Sequence, residues 1–434
     1  MRSRRFHFTA GYWPVAAAVA GLLCIASIAG CGRGDKPHNI VLITVDTLRP
    51  DHLGCYGYAK PTSPTIDDLA ARSVVFTDAY SQAGWTLPSV ATILTGRYPQ
   101  EHGATDFHWS LDARLPTLST ILRSKGYDTA GYVSHVMLTP TYGFGDGFSH
   151  YDFSVLDIGH PHDVSTSKEL TDLALQGLRR MKEPYFLWVH YFDPHFAYLS
   201  HAGFESFGSD DLGRYDSEIA FTDYHIARLL RNIDTKNTVV VFTADHGEEF
   251  GEHGGQYHYT FYDEVMRVPL MIEAPGLAPG TDRTQAEQID LLPTILDLLG
   301  VESPADLPGR DLLSGEPDDT PTFIERDRPP PWRQRGVIKG NQKLFVVEMQ
   351  DTNSIPVASR GTEVPVRNVH LGIFRYDLKA DPKERTNLYT PTDSTSLDLL
   401  GRVAGHFSVT TPRENPVELD PDLLKKLKSL GYVR

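Results

Sequence analysis

The chain has 434 residues, long enough to bury a sizeable core, and carries a formal net charge of −15. That charge excludes nucleic acid as a partner and offers no general attraction for polyanions. Cysteines number only three, at 24, 31 and 55. Cys24 and Cys31 fall in the leader and at its end, so Cys55 has no intramolecular disulfide partner and stability must come from packing.

In chain order, the first element is a leader. Met1-Arg2-Ser3-Arg4-Arg5 is basic, and Val15 to Gly30 is nearly all small or apolar, a secretory signal pattern that is short for a membrane span. Ile28-Ala29-Gly30-Cys31 resembles a bacterial lipobox, in which the cysteine is lipidated and becomes the mature N-terminus. Residues 1–30 are read as a lipoprotein-type signal peptide and 31–38 as a polar tether, with a retained N-terminal anchor as the competing reading. Both place the catalytic domain at the bacterial cell envelope, outside the cytoplasmic membrane; in the lipobox reading lipidated Cys31 anchors it to the membrane.

Asn39 to Asp46 reads as a buried strand closing on an acid. Thr86-Leu87-Pro88-Ser89 then opens a helix: Pro88 suits the first helical position, which leaves Thr86 just outside, beside free backbone N–H groups and the positive end of the dipole. Pro116 to Lys125 is a short helix, Thr129 to Ser134 a strand, and Pro140 to His162 an irregular glycine- and aromatic-rich segment. Thr166 to Lys182 is helical, Tyr185 to Phe192 a buried strand that delivers Asp193 and His195, and Tyr215 to Ile233 an amphipathic helix. Asn237 to Ala244 repeats the first strand pattern and closes on Asp245-His246, with Gly247 permitting a turn. Short valine- and isoleucine-rich runs separated by helical patterns predict parallel strands of an α/β sheet, whose ligands collect at the carboxyl ends of the strands. Asp46, Asp245 and His246 all fall at that edge.

Val268 to Glu273 is a further strand and Gln288 to Leu299 a helix stopped by Gly300. After about Asp311 the texture changes: Thr322 to Ile324, Gly336 to Ile338, Lys343 to Val347 and Gly372 to Asp377 are short strand candidates, followed by a helix near Pro421 to Leu430. The predicted division is a catalytic domain over 39–310 and a C-terminal antiparallel subdomain over 311–434, the latter contributing no identified catalytic group.

The ordered motifs resemble the sulfatase family of the alkaline phosphatase superfamily. They are Val45-Asp46-Thr47-Leu48-Arg49-Pro50-Asp51-His52, Thr95-Gly96-Arg97-Tyr98-Pro99, Asp193-Pro194-His195, Asp245-His246-Gly247-Glu248, Arg267-Val268-Pro269-Leu270 and Asp290-Leu291-Leu292-Pro293-Thr294. Tyr376-Asp377-Leu378, Asp381-Pro382 and Asn387-Leu388 continue the match into the tail. The resemblance implies a mixed, mostly parallel sheet sandwiched by helices, with a small C-terminal antiparallel sheet.

Where the chain departs from the family is informative. The residue that sulfatases convert to formylglycine is Thr86 here, whose β-methyl group prevents oxidation to an aldehyde, and the arginine of that motif is Val90. The family's basic residues fall on Ser134 and His258, and Thr47 stands where a second acid would follow Asp46. The expected chemistry is metal-dependent hydrolysis of phosphate mono- or diesters through a metal-activated Thr86 nucleophile, with His195 as a proton donor or contact to the transferred group. Asp46, Thr86, Asp245 and His246 are the expected first ligand set, and Asp193, His195 and His258 a second, less firmly defined one. Histidine nitrogen favours zinc or manganese, one or two ions, over calcium or magnesium. Glu248, Glu249 and Glu252 read as a solvated acidic loop, His253 as a supporting or substrate-facing residue, and His102 as structural. A sulfuric ester hydrolase, an envelope phospho-headgroup transferase acting on glycan or lipid, and a noncatalytic binding protein remain as alternatives.

Overall fold

Three runs, Asn39–Val45 (β1), Tyr185–Tyr191 (β5) and Thr238–Ala244 (β6), are buried at every position. Strands with no polar face can only lie in the middle of a sheet covered on both sides. In the computed structural model they do so: β1 sits between β5 and β6, parallel to both. The remaining strands of this sheet are β2 (Val74–Tyr80), β3 (Asp128–Val133), β4 (His150–Asp152), β7 (Arg267–Glu273), β8 (Gly280–Asp282) and β9 (Ala286–Glu287). The order is β4-β3-β5-β1-β6-β7-β2-β8, with β9 also on β2; only the β6–β7 and β7–β2 pairs are antiparallel. The structure describes residues 39–157, 164–204, 207–315, 319–326, 332–349, 370–409, 415–417 and 419–429. The signal, tether and lipidation readings, Cys31 included, lie outside them.

Helices cover the sheet: α1 (Pro64–Ala70), α2 (Thr86–Thr95), α3 (Pro99–His102), α4 (Leu118–Ser124), α5 (Ser167–Leu178), α6 (Asp211–Leu230), α7 (Asp263–Met266) and α8 (Leu291–Leu299). A second sheet of β10 (Thr322–Arg326), β11 (Trp332–Lys339), β12 (Gln342–Met349) and β13 (Gly372–Asp377) runs antiparallel throughout and carries α9 (Ser394–Val409); α10 (Pro421–Ser429) follows. The predicted mixed fold with its antiparallel appendage is the observed one. The main differences from the sequence reading are β2 and α9, which it did not identify, and an α6 that starts four residues before Tyr215 because Asp210 caps it. Pro140 to His162 is less irregular than expected, since its described part includes two 3-10 turns and β4.

The two sheets are joined by a buried charge cluster. Lys343 on β12 is fully buried, and its Nζ lies 2.8 Å from Asp263 and 3.1 Å from Glu384. Around it Tyr80, Tyr262, Val265 and Met266 from the first sheet's side pack with Ile324, Ile338, Phe345 and Tyr376 from the second.

Candidate active site

Strand geometry brings the functional groups together. Thr44 and Asp46 share one face of the chain leaving β1, and Trp188 and His190 share the corresponding face of β5, because alternate strand residues point the same way. Thr44 and His190 are paired in register, and the Thr44 hydroxyl lies 2.9 Å from His190 Nδ1 while accepting from Trp188 Nε1 at 3.0 Å. The hydroxyl oxygen keeps a lone pair that can accept an Nδ1–H, and in that tautomer of His190 the Nε2 lone pair is free for a cation beside Asp46. His246, just past β6, is oriented similarly, its Nδ1 donating to the carbonyl of Gly247 at 2.9 Å. Gly247 is required by a close approach: a Cβ there would stand 2.1 Å from the carbonyl oxygen of Glu264.

Thr86 is the first residue of α2, with Trp85 extended before it. The helix therefore starts two residues earlier than Pro88 suggested, and Pro88 occupies its third position. Hydroxyls of Ser81 and Ser89 both donate to the carbonyl of Ala83, fixing the loop that feeds the helix. Gln288 joins this loop to β6, its side-chain oxygen lying 3.0 Å from Ser81 Oγ and its amide nitrogen donating to the carbonyls of Ala244 and Asp245. Thr47, next to Asp46, has φ +53, a strained value for a β-branched residue. It is held by Asp245, which accepts its N–H at 3.2 Å, and by Tyr215, whose hydroxyl donates to its carbonyl at 2.8 Å.

The result is a closely spaced polar cluster at full burial. Thr86 Oγ1 lies 3.5 Å from both Asp46 Oδ2 and His246 Nε2. His246 Nε2 is 3.6 Å from Asp46 and 3.5 Å from Asp245; His190 Nε2 is 3.7 Å and His135 Nε2 3.8 Å from Asp46. Asp46 Oδ1, Asp245 Oδ2 and His190 Nε2 are buried without a hydrogen-bond partner. Such atoms normally find one, since an unsatisfied buried polar group is costly. The spacings exceed hydrogen-bond length but match ligands around one cation: bonds of about 2.1 Å place tetrahedral ligands about 3.4 Å apart. Among the described residues, Asp46, His190 and Asp245 form a metal-competent group, their ligand atoms within 4.8 Å of one another.

Electrostatics agree. Burial, then the charges of Asp245 and Glu248, push Asp46 well above the usual carboxylate range, and burial raises Asp245. Burial lowers the imidazoles of His135, His190, His246 and His258, His190 to about 3. Neutral imidazoles facing crowded carboxylates are a cation site. Bound there, a divalent ion would supply Lewis-acid charge and ease deprotonation of the Thr86 hydroxyl.

The structure thus brings Asp46, Thr86, Asp245 and His246 together, and adds His190 and His135, which the sequence reading missed. The available signal for His190 was a polar residue inside the otherwise aromatic and aliphatic run Tyr185-Phe186-Leu187-Trp188-Val189-His190-Tyr191. His195 and His258 reach the rim, with ring centroids 5.5 Å apart and His258 4.7 Å from His246. Asp193 does not join them, which corrects its expected role as a ligand. Its carboxylate accepts from the backbone N–H groups of Thr166 and Ser167 and from the hydroxyls of Ser165 and Ser167, so it holds the start of α5.

The acidic loop also differs from its expected solvated form. Glu248 is fully buried with an oxygen 3.4 Å from His258 Nδ1, and Glu249 accepts from the N–H groups of His253 and Gly255 and from Thr260. His253 is stacked on Tyr262 and paired with Glu264, a supporting position. His102 is structural as expected, buried beside Thr92 Oγ1 at 3.2 Å.

Residues 38–301, more than half of the chain, match the family described as Sulfatase. The chain belongs to the sulfatase family. Iduronate 2-sulfatase from Mus musculus is 28% identical over 351 residues, covering 59% of this chain and 63% of that protein, so the chain spans less than two thirds of this relative. Arylsulfatase A from Homo sapiens is 26% identical over 499 residues, covering 95% of this chain and 90% of that protein. The fold is shared with a solved structure described as a complex with its substrate D-glucosamine-2-N,6-O-disulfate (TM-score 0.70, 20% identity, covering 87% and 99% of the two chains). It is shared also with the phosphonate monoester hydrolase of Agrobacterium radiobacter (TM-score 0.68, 21% identity, 86% and 95%). Two of the positions at which this sulfatase-family chain departs from the family pattern, Thr86 and His258, lie against His246 in the cluster.

Proposed function

We propose that this chain is a metal-dependent ester hydrolase in which Thr86 is the nucleophile, with phosphoric mono- or diesters preferred over sulfuric esters and zinc or manganese as the ion. One observation carries the reading: the Thr86 hydroxyl stands 3.5 Å from Asp46 and from His246, at the mouth of a helix and inside a cluster of cation-seeking groups. Asp46, Asp245, His190 and His246 would hold the ion. Thr86 gives its hydroxyl proton to Asp46 Oδ2, 3.5 Å away, and its Oγ1 forms a bond to the central atom as the ester bond to the alcohol oxygen breaks. His195, whose Nδ1 is fixed on the carbonyl of Phe196 at 2.7 Å, is placed at the rim to give a proton to that oxygen. Backbone N–H groups at the start of α2 face the charge that develops. Water then releases the group from Thr86. Lipid anchoring at the cell envelope through Cys31 belongs to the same proposal.

The test is a side-by-side assay of aryl phosphate, bis-aryl phosphate and aryl sulfate on the wild type and Thr86→Ala. Turnover should vanish in the variant while bound metal, read by elemental analysis, stays. Full residual activity in Thr86→Ala would defeat the assignment. A second reading, sulfuric ester hydrolysis, is favoured by the names of the relatives; preference for the aryl sulfate would select it.

A further inference from the structure

The alcohol released beside His195 must leave past that imidazole, so the side chains beyond it decide which alcohols fit. The carbonyl that fixes His195 Nδ1 at 2.7 Å belongs to Phe196, and Phe196 lines a cavity of about 610 Å³. A short run of contacts ties the cavity to the catalytic cluster. Tyr198, on its wall, reaches buried Glu248, an oxygen of which lies 3.4 Å from His258 Nδ1. The His258 ring is 4.7 Å from that of His246, and His246 Nε2 is 3.5 Å from Thr86 Oγ1.

The walls are aromatic. Phe196 stands edge-on to Tyr198, with ring centroids 5.7 Å apart and planes at 86°, and to Tyr257, at 5.1 Å and 75°. Tyr198 meets Phe250, the fourth ring of the lining, at 5.3 Å. Rings set nearly at right angles around one space suit an ammonium group, which the ring quadrupoles attract. Phe250 already carries a cation, the Arg49 guanidinium 5.9 Å from its centroid. The wall that bears Tyr257 is firmly held. Tyr257 and Glu249 exchange backbone hydrogen bonds of 2.9 and 2.7 Å. From the second sheet, Arg326 Nη1 donates to the carbonyl of His258 at 3.1 Å, and Gln334, its ladder partner on β11, to that of Tyr259 at 2.9 Å.

The charge of the lining is mostly of one sign. Asp210, Asp211, Glu249 and Glu252 line the cavity together with one arginine, the exposed Arg385. Glu252 is paired with Arg49 and Asp211 with Arg214, while Glu249 is spent on the N–H groups of His253 and Gly255 and on Thr260. Asp210 caps α6 with one oxygen on the N–H of Gly213, a neutral donor that leaves the charge uncancelled. Such a field between low-dielectric walls draws in a cation.

We propose that this cavity seats the alcohol side of the ester and that the alcohol carries an organic cation, a primary or quaternary ammonium group, held against the rings of Phe196, Tyr198 and Tyr257 in the field of Asp210 and Asp211. The proposal rests on the ester-hydrolase reading and names the substrate class within it.

The experiment uses the metal-loaded full chain and two phosphate monoesters of matched shape, phosphocholine and the phosphate of 3,3-dimethylbutanol, its uncharged isostere. Wild type should favour the cationic ester in kcat/KM by about 2- to 30-fold, the worth of one cation–ring contact. Tetramethylammonium, titrated alone and followed by ligand-observed NMR, should bind saturably. Phe196→Leu removes the central ring while keeping the carbonyl that fixes His195. Asp210→Asn/Asp211→Asn removes two charges, and asparagine retains the cap of α6. Each variant should bring the ratio of the two kcat/KM values down toward one and weaken tetramethylammonium binding. A merely structural defect would lower both kcat/KM values and leave their ratio alone. Should Phe196→Leu fail to fold, the asparagine pair decides.

A wild-type ratio of one or below would overturn the proposal. So would a high ratio that the variants preserve, because the cation would then be read elsewhere in the site. Tetramethylammonium binding is seen without turnover, so binding that the variants weaken, with neither ester cleaved, would sink only the hydrolase reading. Equal cleavage of both esters with no tetramethylammonium bound would sink only this one.

Discussion

His190→Leu removes one nitrogen from the metal-competent group while roughly keeping side-chain volume. In the structure His190 Nε2 lies 3.7 Å from Asp46, and its other nitrogen is steadied by Thr44 at 2.9 Å. Changing only the groups that orient a ligand costs about 10- to 100-fold in metal affinity, so losing the ligand itself should cost about 100-fold or more. At a free metal concentration of 100 times the wild-type Kd, wild type gains about 2.7 kcal/mol of stability. At the same concentration a variant with 100-fold weaker affinity gains only about 0.4 kcal/mol. Thr44→Val, which leaves the imidazole but removes its support, should fall between them. The assay is competition against a chromogenic zinc chelator, paired with thermal unfolding with and without metal. If His190→Leu keeps the full stabilisation and affinity, the buried atoms around Asp46 do not serve a common ion.

Two further outcomes are expected. Lys343→Met strands Asp263 and Glu384 at the junction of the two sheets, and breaking such a buried set should cost about 3–5 kcal/mol in denaturant unfolding; a loss under about 1 kcal/mol would mean the cluster is not the fastening it resembles. His102 gives a pH test: burial lowers its imidazole to about 3, whereas in the unfolded chain it titrates near its ordinary value. Its contribution is therefore complete above about pH 6.5 and is lost as pH falls from there toward 3, with a slope of up to about 1.4 kcal/mol per unit. His102→Gln should flatten the acid limb of the stability curve by that amount, and an unchanged limb would show that His102 is protonated in the fold.

The parts of the site that sequence revealed are those tied to strand ends. An acid or an Asp-His pair following a buried apolar run has only one place to go in a parallel sheet, so Asp46, Asp245 and His246 were legible. His190 was hidden because it lies within its strand, where an uninterrupted apolar texture reads as core and a single imidazole reads as a tolerated exception. His135 was hidden for a different reason: it follows β3 by two residues, and nothing local says that β3 is two strands from β1. Asp193 misled because Asp-Pro-His looks like a ligand triplet, while capping of α5 by the same carboxylate depends on a segment some 26 residues earlier. Glu248 looked solvated because acids cluster around it in sequence; only the packing of His258 and Tyr198 over it shows otherwise. Arg326 belongs to a sheet whose register against His258 and Tyr259 no periodicity encodes.

The grip of β10 and β11 on the His258-Tyr259 segment has a consequence for how the protein is made. Asp46 through His258 leave the ribosome before Arg326 and Gln334, so the pocket's inner wall exists as nascent chain before its outer brace has been synthesised. A message or proteolytic event that ends the polypeptide near residue 310 would yield a product with every candidate metal-binding side chain and none of the brace. Such a fragment would also present Tyr80, Tyr262 and Met266 to solvent, a sticky surface that marks it for quality control.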